Sequence, residues 1–93
     1  MYDVATFPNQ TYNGWSNYET WLASLWLGND ANGNNLVAEA LRQGDEPFDQ
    51  ADWLEQQLRM QLDEEVGEAS LWSDLLMTAF GRINWVEIIE NNS

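Results

Sequence analysis

Apolar residues recur along this chain at helical spacing and nowhere in sustained alternation. Tyr18, Trp21, Leu22, Leu25 and Trp26 fall at i, i+3, i+4, i+7 and i+8, which is one face of a helix with 3.6 residues per turn. Ser16 and Glu19 have the spacing of a capping box, with the hydroxyl accepting from the Glu19 N–H and the carboxylate reaching back. Trp21 and Trp26 are read as packing residues, and Gly28-Asn29 as a stop. Asn29–Asn35 reads as a polar loop. A short helix follows, with Leu36, Val37, Ala40 and Leu41 on one side and Gly44 at its end. Asp49 predicts the N-cap of a third helix running to about Val66, with Ala51, Leu54, Leu58 and Leu62 as a narrow apolar stripe. A fourth helix after Ser70 carries Leu71, Trp72, Leu75, Leu76, Ala79 and Phe80, and Gly81 suits its C′ position. Asn84 and Glu87 form an N-cap pair for a fifth helix to about Glu90. Ile83 and Ile88 stand at the positions of a hydrophobic staple.

No repeat or linker divides the sequence. The expectation is one all-α domain over residues 1–93, a small bundle of four to five short helices. An irregular leader, residues 1–14, precedes it, with Phe7 and Tyr12 placed to tack it onto the body. The predicted core is Trp21, Leu25, Leu54, Leu58, Leu62, Leu75, Leu76 and Ile88. With 93 residues the margin for burial is thin, and six Trp compensate because each large ring buries much surface.

Charge narrows the function. Sixteen Asp and Glu face three Arg, and there is no Lys, His or Cys, for a formal charge of -13. The absence of His and Cys removes the usual general base, the thiol nucleophile and most zinc chemistry. The absence of Lys removes Schiff-base catalysis and the lysine of a phosphate loop. The pairs Asp45-Glu46 and Glu64-Glu65 point apart on a helix and belong to no cleft, so no catalytic residue, metal or cofactor is assigned. The loop from Asp30 resembles a calcium loop only at its start: Asn35 stands where Gly is needed and Leu41 where Glu is needed. Arg42, Arg59 and Arg82 are scattered, which disfavours direct nucleic-acid binding. No apolar run approaches a membrane span, and Met1-Tyr2-Asp3-Val4 lacks the basic start of a signal peptide.

The acids gather between residues 45 and 68: Asp45, Glu46, Asp49, Asp52, Glu55, Asp63, Glu64, Glu65 and Glu68, opposed there by Arg59 alone. Asp49, Asp52 and Asp63 project opposite the leucine stripe, and Trp53 and Met60 point with them. Carboxylates three or four residues apart on a helix are about 5–6 Å apart at Cβ, a spacing similar to that of successive phosphates. Such a face imitates nucleic acid to a basic groove. The plainer reading is a solvated face that keeps the chain soluble. However, solubility requires a net charge of about 2–8 in a small domain, and the excess opposes folding through self-repulsion. Trp53 and Met60 are either an aromatic anchor in an acidic field or core residues of a helix covered on two sides.

The run Asn13-Gly14-Trp15-Ser16-Asn17-Tyr18-Glu19-Thr20-Trp21-Leu22, continued by Leu25-Trp26-Leu27-Gly28-Asn29-Asp30, resembles a family of small phage and plasmid proteins. Their start reads N-G-W-x-N-x-E-T-W, then L-W and N-D or N-E. Ser73-Asp74-Leu75-Leu76 and Ile83-Asn84-Trp85-Val86-Glu87-Ile88 are similar to that family's ending. Tyr18 departs from the pattern, standing where relatives carry Arg. The resemblance implies a mobile-element origin and a site of action in the host cytoplasm. It favours an anti-CRISPR or anti-restriction type of inhibitor that binds a basic, nucleic-acid-handling host protein as a DNA mimic. The alternative expectation is a non-enzymatic adaptor or assembly module that binds through Trp53 and Met60, or through Trp15 and Tyr18. A monomer and a dimer are both compatible with the sequence.

Overall fold

Each helix begins where a short polar side chain or a proline satisfies the first turn. The computed structural model describes residues 12–93; the expected leader lies mostly outside them, including Phe7. Helix α1 spans Tyr18–Asn29, α2 Ala31–Ala40, α3 Pro47–Val66, α4 Leu71–Phe80 and α5 Trp85–Asn92. No strand occurs among the described residues, so the all-α bundle is as expected.

The caps refine the sequence reading. Asn17, not Ser16, caps α1: the Thr20 N–H donates to Asn17 Oδ1 at 2.8 Å. The predicted loop 29–35 does not form. Asp30 ends α1 and caps α2 at once, accepting from the Gly33 N–H at 3.0 Å. Helix α3 starts two residues before Asp49, behind Glu46, with Pro47 in its first turn. Proline suits that place because its missing N–H would have had no helical partner. Ser70 caps α4 in a box with Ser73, and Asn84 Oδ1 caps α5, accepting from Glu87 N–H at 3.1 Å. Before α1, Tyr12 and Trp15 exchange two N–H···O bonds of 2.7 Å around a turn in which Asn13 and Gly14 take positive φ.

Helices α1, α2, α3 and α5 pack on one another around Leu27, Val37, Ala40, Ala51, Leu54, Trp85, Ile88 and Ile89. Gln50, also buried, donates to the carbonyls of Leu41 and Gly44 and fixes the α2–α3 connector. Two features depart from the predicted core. Helix α1 turns its other side inward: Thr20 and Leu27 are buried, while Trp21 is half-buried and Leu25 and Trp26 are exposed. A helix apolar nearly all round has no single face that periodicity can select. Helix α4 stays largely outside the packed group, and Leu71, Trp72, Leu75, Leu76 and Met77 are exposed. Leu54 and Ile88 are core residues, as expected. Leu58 and Leu62, farther along α3, are only half-buried.

Gly33 marks the tightest approach. A Cβ there would lie 2.7 Å from both Leu27 Cα and Leu27 O, backbone atoms that cannot turn aside. Gly33→Ala is therefore expected to destabilise the fold by about 1–3 kcal/mol, read as a lower midpoint in urea unfolding with the slope unchanged.

Candidate functional site

The N-terminal and C-terminal motifs meet. Ser16 N–H donates to both Glu87 carboxylate oxygens, at 3.1 and 3.2 Å. Asn17 Nδ2 donates to the Arg82 carbonyl at 2.8 Å. The Thr20 hydroxyl, fully buried, accepts from Asn84 N–H at 2.9 Å. Glu19 pairs with Arg82 at 3.2 Å. Glu19 and Glu87 thus serve a latch between the start of α1 and the α4–α5 turn, not the reciprocal half of a capping box. Asn17 and Thr20, polar positions of the N-terminal motif that helical spacing does not explain, are the hydrogen-bonding residues of this latch. Ser16, Asn17, Glu19, Asn84 and Glu87 therefore act in the fold, and Trp21 packs in a ring cluster with Tyr12 and Tyr18. Trp26 does not pack as expected: it is 69% exposed.

The acidic residues occupy one long element and its two flanks. Asp45 and Glu46 lie in the connector before α3, Asp49 in its first turn, Asp52 and Glu55 in its first half, Asp63, Glu64 and Glu65 in its last turn, and Glu68 beyond Gly67. All are exposed except Glu55, which is half-buried. At 100° per residue, Asp49, Asp52, Gln56, Met60 and Asp63 share a face, while Glu64 and Glu65 turn progressively off it. The three arginines are engaged elsewhere or within pairs: Arg42 with Glu39, Arg82 with Glu19, and Arg59 with Glu55 at 3.1 Å. The Arg59 guanidinium also lies 4.8 Å from the centre of the Phe80 ring. Among the described residues no helix has a basic residue in its last turn. In α3 the last turn instead carries three carboxylates, against the negative end of the helix dipole. Stability alone would not place them there.

Trp53 and Met60 do not form one exposed spot. Trp53 packs against the core, whereas Met60 is exposed on the acidic face. The aromatic that stands among the acids is Phe48, 74% exposed beside Asp49. At 100° per residue it falls about 40° from Leu62, at the edge of the leucine stripe, so helical spacing does not mark it as an outward residue. Among the described residues no group of three or more acidic side chains is close enough to hold a metal ion.

A second surface was not foreseen. Leu22, Ala23 and Trp26 of α1, Leu62 of α3, and Leu76, Ala79 and Phe80 of α4 line an open groove of about 260 Å³ with Ile83 and Glu19. Leu71, Trp72 and Leu75 are further exposed apolar residues of α4. Of these α4 residues, Leu75 and Leu76 are expected in the core from periodicity and are exposed instead, because an amphipathic helix looks the same whether its apolar face meets its own domain or a partner.

Among the described residues no helix is long and apolar enough to cross a membrane. No curated protein and no solved structure matches the chain. Residues 8–92 match a family of unknown function, a span that contains the latch, the acidic helix and the groove. The chain belongs to that family, DUF7249.

Proposed function

We propose that this chain is a non-enzymatic binding protein that docks through the acidic side of α3 onto a cationic surface of a partner protein. The surface that fits best is one built to hold nucleic acid, and occupying it makes the chain an inhibitor of the anti-restriction or anti-CRISPR kind carried by mobile elements. The observation that carries this reading is the placement of carboxylates along and beyond one 20-residue helix, about 30 Å of surface. The only arginine among them is already paired.

The second reading, an adaptor, now rests on different residues. Trp53 and Trp15 pack against the core, while Trp26 and Trp72 are exposed. An aromatic-led contact would therefore use the α1–α4 side of the molecule.

Affinity capture from host cells at low and high salt tests the first reading. Bound proteins are expected to be basic, to fall off steeply as salt rises, and to be displaced by added duplex DNA. Retention of neutral partners regardless of salt would remove the basis for mimicry.

A further inference from the structure

The apolar side of α4 is symmetric end to end. Leu71, Trp72, Leu75, Leu76, Ala79 and Phe80 are spaced evenly about the midpoint between Leu75 and Leu76. At 100° per residue they fill one arc of about 180°. The domain itself covers only an edge of that arc. Leu76, Ala79 and Phe80 line the groove with residues of α1 and α3, while Leu71, Trp72, Leu75 and Leu76 remain exposed. A helix of ten residues owes most of its stability to packing of its apolar face. We infer that a second copy of this chain supplies the missing cover, through a two-fold contact in which the two α4 helices lie antiparallel.

Three observations select that occupant. The first is the symmetry. A two-fold contact sets residue i on residue j and j on i. About the midpoint of α4 this places Leu71 on Phe80, Trp72 on Ala79 and Leu75 on Leu76 of the second copy, and the reverse. The largest side chain of the helix meets its smallest, as close packing of facing positions requires. The second is area. Trp26 and Trp72, 69% and 67% exposed, offer roughly 100–170 Å² each, and the three leucines together add a similar amount to the pair. The patch stands at the upper end of the roughly 300–600 Å² found on monomers. With its rim it comes close to the about 800 Å² that each partner buries in a standard interface.

The third is charge. Most of the -13 lies on α3 and its flanks. On the groove side Glu19 is paired with Arg82, and Arg59, over Phe80, with Glu55. Asp74, the one charged residue of α4, stands about 60° outside the apolar arc. Antiparallel packing also brings Glu68, two residues before the Ser70 cap, to the end at which the second copy holds Arg82, whose side chain is 55% exposed. A parallel pair would instead set Glu68 on Glu68 and Asp74 on Asp74, like charge on like.

The test is the mass of the full chain by light scattering over a dilution series at physiological salt, where exposed charge is screened beyond about 8 Å. A dimer is expected. Leu75→Asp and Trp72→Gln, both at exposed positions, are each expected to raise its dissociation constant about 10- to 100-fold. Glu68→Arg weakens the dimer, whereas Glu90→Arg, the same change of charge toward the end of α5, does not. Because the chain has no Cys, single cysteines report the register. The antiparallel pair sets the two copies of Leu75 about 1.5 Å apart along the helix axis and the two copies of Leu71 about 13 Å apart. A disulfide needs Cα atoms within about 7 Å, so oxidation is expected to link Leu75→Cys into a dimer and to leave Leu71→Cys unlinked.

Monomer mass at every concentration up to about 1 mM overturns the proposal and leaves the face to residues outside 12–93 or to another protein. A dimer that neither Leu75→Asp nor Trp72→Gln weakens uses another face and overturns it as well. Linking of Leu71→Cys as readily as Leu75→Cys overturns the antiparallel pairing. The inference does not rest on the partner proposed for α3, and its failure leaves that reading where it stands.

Discussion

The double variant Asn17→Ala, Thr20→Val is expected to lower the melting temperature by about 12–24 °C. The estimate follows from the latch. Removing the Asn17 side chain takes away the α1 cap, worth about 1 kcal/mol, and the partner of the Arg82 carbonyl. Valine at position 20 keeps the shape but loses the acceptor of Asn84 N–H, leaving a donor unpaired at a part-buried contact for about 1–3 kcal/mol. Together these approach about 3 kcal/mol, and each kcal/mol shifts the midpoint of a domain of this size by about 4–8 °C. Total stability for a small domain is only about 5–15 kcal/mol, so the loss is a large share. Thr20→Ser retains the hydroxyl and should recover most of it. If the double variant melts within a few degrees of the parent, the latch does not hold the ends together in solution.

Neutralising the acidic helix should move binding and stability in opposite directions. In the variant Asp49→Asn, Asp52→Asn, Asp63→Asn, Glu64→Gln, Glu65→Gln, affinity for the captured basic partner is expected to fall by about 10- to 1,000-fold. Each lost pair with a cationic surface contributes up to about 1 kcal/mol when solvent-screened. The melting temperature is expected to rise by about 4–8 °C, corresponding to about 1 kcal/mol. Three of the five charges removed face the wrong end of the α3 dipole, and the set as a whole repels itself. A solvated face kept for solubility predicts no change in partner affinity, so binding and melting measured on the same variant separate the two explanations.

The helices were legible because their signals are local. Ser70 and Asn84 precede apolar runs at helical spacing, and both act as N-caps. Misplaced boundaries came from competition between adequate candidates. Asn17 outcompetes Ser16, whose backbone N–H is held instead by Glu87, 71 residues away. That contact cannot be read from local sequence. The α1 register was illegible for a related reason. Its inward face is built on Thr20, a polar residue made buriable only by Asn84 N–H across the domain. Helix α4 failed in the other direction: its pattern was read correctly, but amphipathicity does not say whose surface the apolar side will meet. Among the candidate site residues, the placement of the acids followed directly from the α3 period. The separation of Trp53 from Met60 did not, because α3 is covered on more than one side near its middle and uncovered toward its end.

The bond between Ser16 and Glu87 also sets an order of events during synthesis. Helix α1 leaves the ribosome early, yet three of the groups that fasten its start, at Arg82, Asn84 and Glu87, belong to the last part of the domain. Contacts of such sequence separation form late and slow the final step of folding. Until α5 emerges, the nascent chain must carry its indoles and leucines uncovered, shielded from association chiefly by its own negative charge.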